Sequence, residues 1–379
     1  MGHPRVLMLT NVEFGESNVF LATARALLQQ NPSVELHIAS FCSLESSVHS
    51  LRENLQNSMP EVVPIRFHRI AGLNMTEALQ QHFINRGTAL TGGYLPKSFS
   101  SDLNFSGTLR AIRDAIPILI PYSGPELEKV VTSIVAIIGE VEADQVVVDS
   151  LMTPALTACY HLDIKFICLS PNSIKEFAAS SQPWGAVFWR YPAPVATAVG
   201  SQNTGLRTIY NSVSQDHGPG LQILWKLKRY GNFETGTGSK IHDVLGQEID
   251  NDLVRIVDWL QEQPSAILQS GHIACSIHHG GANSYNEAAS AGIPQVILPQ
   301  WTDCYDYGQR VEILGIGKLG NSPATARFTA KSISEAVRQV LFSEAAKTIE
   351  QRAMDLADIV RSRGAGADNT AQVLLQNCK

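Results

Sequence analysis

Ile273-Ala274-Cys275-Ser276-Ile277-His278-His279-Gly280-Gly281-Ala282-Asn283-Ser284-Tyr285-Asn286-Glu287 is the stretch whose reading decides the fold. Residues 273–278 have the β-branched, apolar character of a short buried strand. Adjacent glycines follow, where the backbone can approach a ligand closely because no Cβ intervenes. Ser284 reads as a helix N-cap, and Glu287 three residues later completes an S-x-x-E capping box. A helix that starts directly after a strand offers unpaired N–H groups and the positive end of its dipole, and both suit a diphosphate. His279, Asn283 and Ser284 could add side-chain donors. Taken alone, the same residues could simply make a tight turn and cap a helix.

The next strand, at 295–299, favours the ligand-binding alternative. It runs into Pro299-Gln300-Trp301-Thr302-Asp303-Cys304, which sets an aromatic ring and a carboxylate beside the glycine turn. A carboxylate there can accept hydrogen bonds from sugar hydroxyls.

Outward from this block the chain repeats one rhythm. Strands are expected at 6–10, 34–40, 65–70, 145–149 and 165–170, with helices at 19–30, 44–55, 126–141 and 154–162. Residues 72–102 read as a polar, glycine-containing stretch. Proline and glycine crowd the segment 180–220, which reads as a linker. The rhythm then resumes with strand-like runs at 221–227, 254–260, 273–278 and 295–299. A short helical turn is expected at 265–270, and helices from about 284 and at 305–314, 330–342, 344–363 and 368–376. Alternating strands and helices argue for α/β domains with parallel sheets, whose ligands sit beyond the carboxyl ends of the strands.

Composition narrows the function classes. Of 379 residues, 44% are hydrophobic and 17% charged, which suits sizeable cores. The net charge of −6 argues against a nucleic-acid partner. The one short basic cluster, Lys226, Lys228 and Arg229, reads as a strand ending in a solvated loop. Six scattered cysteines without a C-x-x-C pair suggest neither a disulfide framework nor a zinc site. Residues 1–10 are too short an apolar run for a signal peptide. No stretch approaches the roughly 20 apolar residues of a membrane span. A cytoplasmic location is the expectation.

With Trp259-Leu260-Gln261 upstream, then the His279–Ser284 turn, Glu287, Gly292-Ile293-Pro294, Pro299-Gln300-Trp301 and Asp303, the chain resembles the family 1 UDP-glycosyltransferases, fungal members in particular. The resemblance implies a GT-B fold of two Rossmann-like domains facing each other across a cleft. Residues 1–194 would then bind the acceptor and 195–379 the UDP-sugar. It also implies roles by position. Trp259 would stack on uracil with Gln261 beside the base. His279, Gly281, Asn283 and Ser284 would hold the diphosphate, Glu287 the ribose and Asp303 the sugar, with Trp301 alongside. Cys304 stands where the family usually has Gln, and a thiol is a poor hydrogen-bond partner for a sugar.

The implied reaction is inverting transfer of a sugar, glucose by expectation, from UDP to a hydroxyl of a lipophilic small molecule. It needs no cofactor beyond the donor substrate, and no DxD metal motif precedes the sugar site. The family's usual base, a His after the first strand, corresponds here to Glu16, and its partner to Asp149. Two neighbouring carboxylates would push one pKa upward. Family members also carry more chain before residue 221, so an internal deletion around 195–220 is implied. A nucleotide-sugar-binding protein without transferase activity is the alternative, and Trp259 and Trp301 argue against a GT-B epimerase.

Overall fold

The computed structural model describes residues 3–87, 90–91, 95–96, 106, 109–110, 113–114, 117, 120–171, 221–226, 236–299, 302–321 and 329–378. The 195–220 segment, Gln300 and Trp301 therefore lie outside the described residues. The chain divides into two compact units. One comprises Met1–Tyr94, Arg113–Gln182 and Arg363–Lys379, and the other Leu95–Ile112 and Pro183–Ser362.

The first unit is built on strands β1 (Arg5–Leu9), β2 (Glu35–Ser40), β3 (Arg66–Arg69), β4 (Gln145–Asp149) and β5 (Phe166–Leu169). They form one parallel sheet in the order β3-β2-β1-β4-β5. Between them run helices α1 (Phe14–Gln30), α2 (Glu45–Ser58), α3 (Met75–Asn85), α4 (Gly124–Val141) and α5 (Thr153–His161).

The strand sequences explain why both faces of this sheet are covered. In β1, Val6 and Met8 join one hydrophobic cluster while Leu7 and Leu9 join another. β4 does the same with Val147 on one side and Val146 and Val148 on the other. A strand apolar at every position, rather than at alternate ones, has no face to give to water, as parallel sheets require.

The second unit carries β6 (Ile223–Lys226), β7 (Val254–Val257), β8 (Ser276–His278), β9 (Gln295–Ile297) and β10 (Gly317–Leu319). Among the described residues β6 pairs with β7, and β8-β9-β10 form a second parallel sheet. Its helices are α6 (Lys240–Asp250), α7 (Pro264–Leu268), α8 (Ala282–Ala291), α9 (Thr302–Leu314), α10 (Ala330–Leu341) and α11 (Ala346–Arg363). Central β9 again divides its side chains. Val296 packs with Ile333, Val337 and Val340 of α10, and Ile297 with Tyr285, Tyr307 and Val311 of α8 and α9.

Several elements depart from the sequence expectations. α1 begins at Phe14 rather than near residue 19, because Glu13 takes an extended backbone and its carbonyl accepts from the N–H groups of Glu16 and Ser17 at 3.0 and 2.9 Å. The stretch from 72, read as irregular, contains α3. There the Asn74 side chain accepts from Glu77 N at 2.9 Å, and the Glu77 carboxylate accepts from Asn74 N at 3.0 Å. That reciprocal pair is a capping box. α6 and β10 were not anticipated.

The largest departure is at the carboxyl end. α12 (Gly366–Asn377), read as part of the second domain, belongs to the first unit. Ala371 and Leu374 are fully buried in the cluster that holds Leu27 and Leu28 of α1, and Gln30 Nε2 donates to the Asp368 carbonyl at 3.0 Å. Leu374→Ala is accordingly expected to cost about 2–5 kcal/mol, as other buried leucine truncations do. Chemical denaturation followed by circular dichroism checks it, and a change below about 0.5 kcal/mol would show that α12 is not part of that core.

Candidate functional site

In the second unit the parallel strands β8, β9 and β10 bring their carboxyl ends to the same edge. The register Ser276↔Gln295 and His278↔Ile297 puts the residues after β8 and β9 side by side, and Leu298 N donates to His278 O at 2.8 Å. The His279–Ser284 turn and the segment leading into Asp303 are therefore neighbours.

The turn is shaped by its glycines. Gly280 has φ +88, a conformation that favours glycine, and a Cβ there would lie 2.6 Å from Ile297 Cγ2 and 2.8 Å from the Cys304 carbonyl. The chain can pass between β9 and the first turn of α9 only without a side chain. Gly281 sits against the His279 ring, where a Cβ would collide with Nε2.

Gly281, not Ser284, is the N-cap of α8, so the expected Ser284–Glu287 capping box does not form. The helix starts at Ala282, and Tyr285 N makes the first intrahelical bond to Gly281 O at 3.0 Å. The physical reason is the extended backbone of Gly281 (φ −64, ψ 149), which ends the turn three residues earlier than a Ser284 cap would. As a glycine, the N-cap of α8 has no side chain to offer. The N–H groups of Ala282, Asn283 and Ser284 lie in the first turn and form the positive end of the helix dipole.

His278 supports the turn from below. Its Nδ1 accepts from Gly280 N at 3.1 Å and its Nε2 lies 2.9 Å from Gln295 Oε1. An N–H donor on one ring nitrogen and a carbonyl on the other fix the neutral tautomer with hydrogen on Nε2. Burial pushes its pKa down to about 4, with the Gln295 hydrogen bond opposing. The neighbouring His279 is also pushed down, by burial, while Asp303 acts upward and Lys226 downward. The sequence reading missed His278 and Gln295. The signal was a polar pair facing across two apolar strands, invisible until the register is known.

The remaining donor-site residues fall around this turn. Trp259, just past β7, is 65% exposed, and Gln261 is exposed two residues on. Glu287 is half-buried on α8, with its pKa raised by burial and opposed by Lys226. Asp303 lies in the first turn of α9 and acts electrostatically on His279. Cys304, expected to face the sugar, is fully buried, its backbone wedged against Gly280. Lys226 ends β6 and is exposed, and it also holds its Nζ 3.9 Å from the centroid of the Trp259 ring.

The first unit has its own polar cluster at the carboxyl ends of β1 and β4. Asp149 is fully buried. Its Oδ1 accepts from Leu151 N at 2.9 Å, and its Oδ2 from Asn11 N at 3.2 Å and Thr10 Oγ1 at 3.4 Å. Burial drives its pKa up to about 6 against these bonds, and the carboxylate that adds to the rise is Glu13. Glu13 also accepts from Thr76 N at 3.1 Å and Thr76 Oγ1 at 2.5 Å, which ties the loop after β1 to α3. Its second oxygen, Asn11 Nδ2 and the Tyr122 hydroxyl are buried without a hydrogen-bond partner among the described residues. Glu16 lies in the first turn of α1 and is 9% exposed. Among the described residues, no group of three or more His, Cys, Asp or Glu could hold a metal ion.

The His278 geometry gives a pH dependence with a definite sign. The folded chain takes up this proton only near pH 4, against an ordinary value of 6.5. Stability is therefore full above pH 6.5 and is lost as pH falls towards 4, by up to about 3 kcal/mol. His278→Asn keeps an acceptor for Gly280 N and is expected to flatten this slope in urea titrations between pH 7 and 5. An unchanged slope would contradict the tautomer assigned here.

Residues 243–366 match the family described as erythromycin biosynthesis protein CIII-like, C-terminal domain. The glycosyltransferase sdnJ of Sordaria araneosa is 48% identical over 126 residues, 33% of this chain and 24% of that protein. The vancomycin aglycone glucosyltransferase of Amycolatopsis orientalis is 38% identical over 105 residues, 28% of this chain and 24% of that protein. The matches thus span about a quarter of these relatives. Among solved structures, a UDP-glucose:anthocyanidin 3-O-glucosyltransferase in complex with UDP superposes over 100% of this chain and 99% of its own, with TM-score 0.61 and 13% identity. The calicheamicin glycosyltransferase CalG4 superposes over 100% and 98%, with TM-score 0.60 and 13% identity. Residues 243–366 thus resemble the C-terminal domain of the family described as erythromycin biosynthesis protein CIII-like, and the chain has the GT-B fold.

Proposed function

We propose that this chain is an inverting glycosyltransferase that moves a sugar, glucose in our reading, from UDP to a hydroxyl of a lipophilic small molecule. The observation that carries the proposal is the turn after β8. A glycine-capped helix starts there directly after a strand, beside a histidine whose pKa burial lowers and with a carboxylate in the first turn of the next helix acting on that histidine. That arrangement suits a diphosphate with a sugar beyond it. Trp259 offers a stacking face for the base, and Glu287 an acceptor for ribose hydroxyls. The choice of glucose and of a lipophilic acceptor draws on the vancomycin aglycone and anthocyanidin enzymes among the similar proteins. A cytoplasmic location remains part of the same proposal, and no helix among the described residues is long and apolar enough to cross a membrane.

In the proposed reaction Glu16 takes the proton from the acceptor hydroxyl as its oxygen attacks the anomeric carbon. The bond from that carbon to the diphosphate oxygen breaks, and UDP leaves with the electron pair. Helix N–H groups and His279 then meet the charge that develops on the leaving group. Asp149 serves as a positioning residue, since its bonds to Thr10 and Asn11 set the loop that starts α1. The low exposure of Glu16 supports the second reading, a nucleotide-sugar-binding protein without turnover.

Calorimetry separates these outcomes. UDP is expected to bind with micromolar affinity, and His279→Ala to weaken it by about 1–3 kcal/mol, the usual worth of a hydrogen bond to a charged group. A folded chain that ignores UDP would sink the donor site. Turnover of UDP-glucose with phenol and sterol acceptors comes next. Glu16→Gln should lower kcat at least about 100-fold with the UDP affinity unchanged, whereas UDP binding without any turnover in the wild type would favour the second reading.

A further inference from the structure

Lys226 stands out because the function above gives it nothing to do. It ends β6, opposite Val257 of β7 in the parallel register, and Trp259 follows two residues after that partner. The ammonium therefore reaches across from one strand end to the ring that follows the next, and rests over its face at 3.9 Å. Its charge also acts on His279 and Glu287, so three proposed donor-site residues lie within its field. Those three are assigned to different parts of a nucleotide: base, diphosphate and ribose. One flexible cation touches the surroundings of all of them.

The Trp259 face cannot hold an ammonium and a stacked base at once. An ammonium–aromatic contact at an exposed ring is weak, whereas a nucleoside diphosphate brings negative charge a few ångströms away. Lysine is a compact charge on a stem with four rotatable bonds, well suited to move between such partners. Resting on this donor-site reading, we propose that Lys226 is an exchanging cation of the nucleotide site: the base displaces its ammonium from the Trp259 ring, and the ammonium then pairs with the diphosphate. Lys226 thereby favours the diphosphate over the bare nucleoside. Uridine must evict the ammonium and gives it no phosphate to meet, while UDP supplies both the displacing ring and the anion.

The test compares two ligands on three proteins. UDP and uridine are titrated by calorimetry, with uridine measured by competition where its heat is small, against wild type, Lys226→Met and Lys226→Arg. Lys226→Met keeps an apolar stem of similar length and removes the charge. We expect its UDP Kd to rise about tenfold, as for the loss of one charge-assisted contact, while its uridine Kd stays equal or falls. Lys226→Arg should restore UDP binding to within a few-fold of wild type, and the salt dependence of UDP binding should be shallower in the Met variant. Equal changes for both ligands in Lys226→Met, or an unchanged UDP Kd, would overturn the proposal while leaving the donor site standing. A wild type that binds neither ligand would overturn the donor site and this proposal together.

Discussion

Parallel strands buried on both faces leave only their ends for chemistry, and this constraint organises both units. β1 and β4 in the first unit and β9 in the second send successive side chains into opposite hydrophobic clusters. Helices must then cover each side, so the strands of each sheet run in the same direction and their carboxyl ends share one edge. Asp149 ends β4 there, His279 follows β8 directly, and Asp303 lies in the first turn of the helix after β9.

At the proposed donor edge the buried polar groups are mostly neutral. Glycine caps α8, and His278 beneath the turn is kept neutral by burial and by its two hydrogen bonds. Neutral donors carry a smaller desolvation cost than buried cations. The mobile charge, Lys226, is kept at the rim rather than in the interior. The first unit makes the opposite choice. It buries Asp149 against Glu13, so that one carboxyl titrates near 6 and the loop after β1 is held by charged acceptors.

Much of this was legible in the sequence, and the losses have physical causes. Unbroken apolar runs such as Val6–Leu9 and the glycine pair at 280–281 mark the α/β class and the tight turn after β8, because burial on two faces and a side-chain-free passage leave marks in composition. The start of α8 was misplaced because Ser284 is a good cap in isolation, whereas the cap position is decided by the backbone of Gly281, which pattern alone does not report. α3 was overlooked although Asn74 and Glu77 spell its capping box and Ala78 and Phe83 are buried along it. Lys226 and Glu13 were unreadable for a different reason. Their partners, Trp259 and Asp149, are remote in sequence and meet them only through strand pairing and loop closure.

The position of α12 bears on how the chain is made. Its residues leave the ribosome after the whole second unit, yet Ala371 and Leu374 complete the hydrophobic layer that Leu27 and Leu28 begin. The nascent first unit must therefore wait, with one side of α1 uncovered, through synthesis of some 180 further residues of the second unit (Pro183–Ser362). Vectorial folding, in which an amino-terminal domain closes before the next emerges, is denied to this molecule. An exposed apolar helix face during that interval is what a chaperone binds, and what aggregates when none is available. No single cut separates the two units, so exchanging one of them with a relative requires four junctions rather than one.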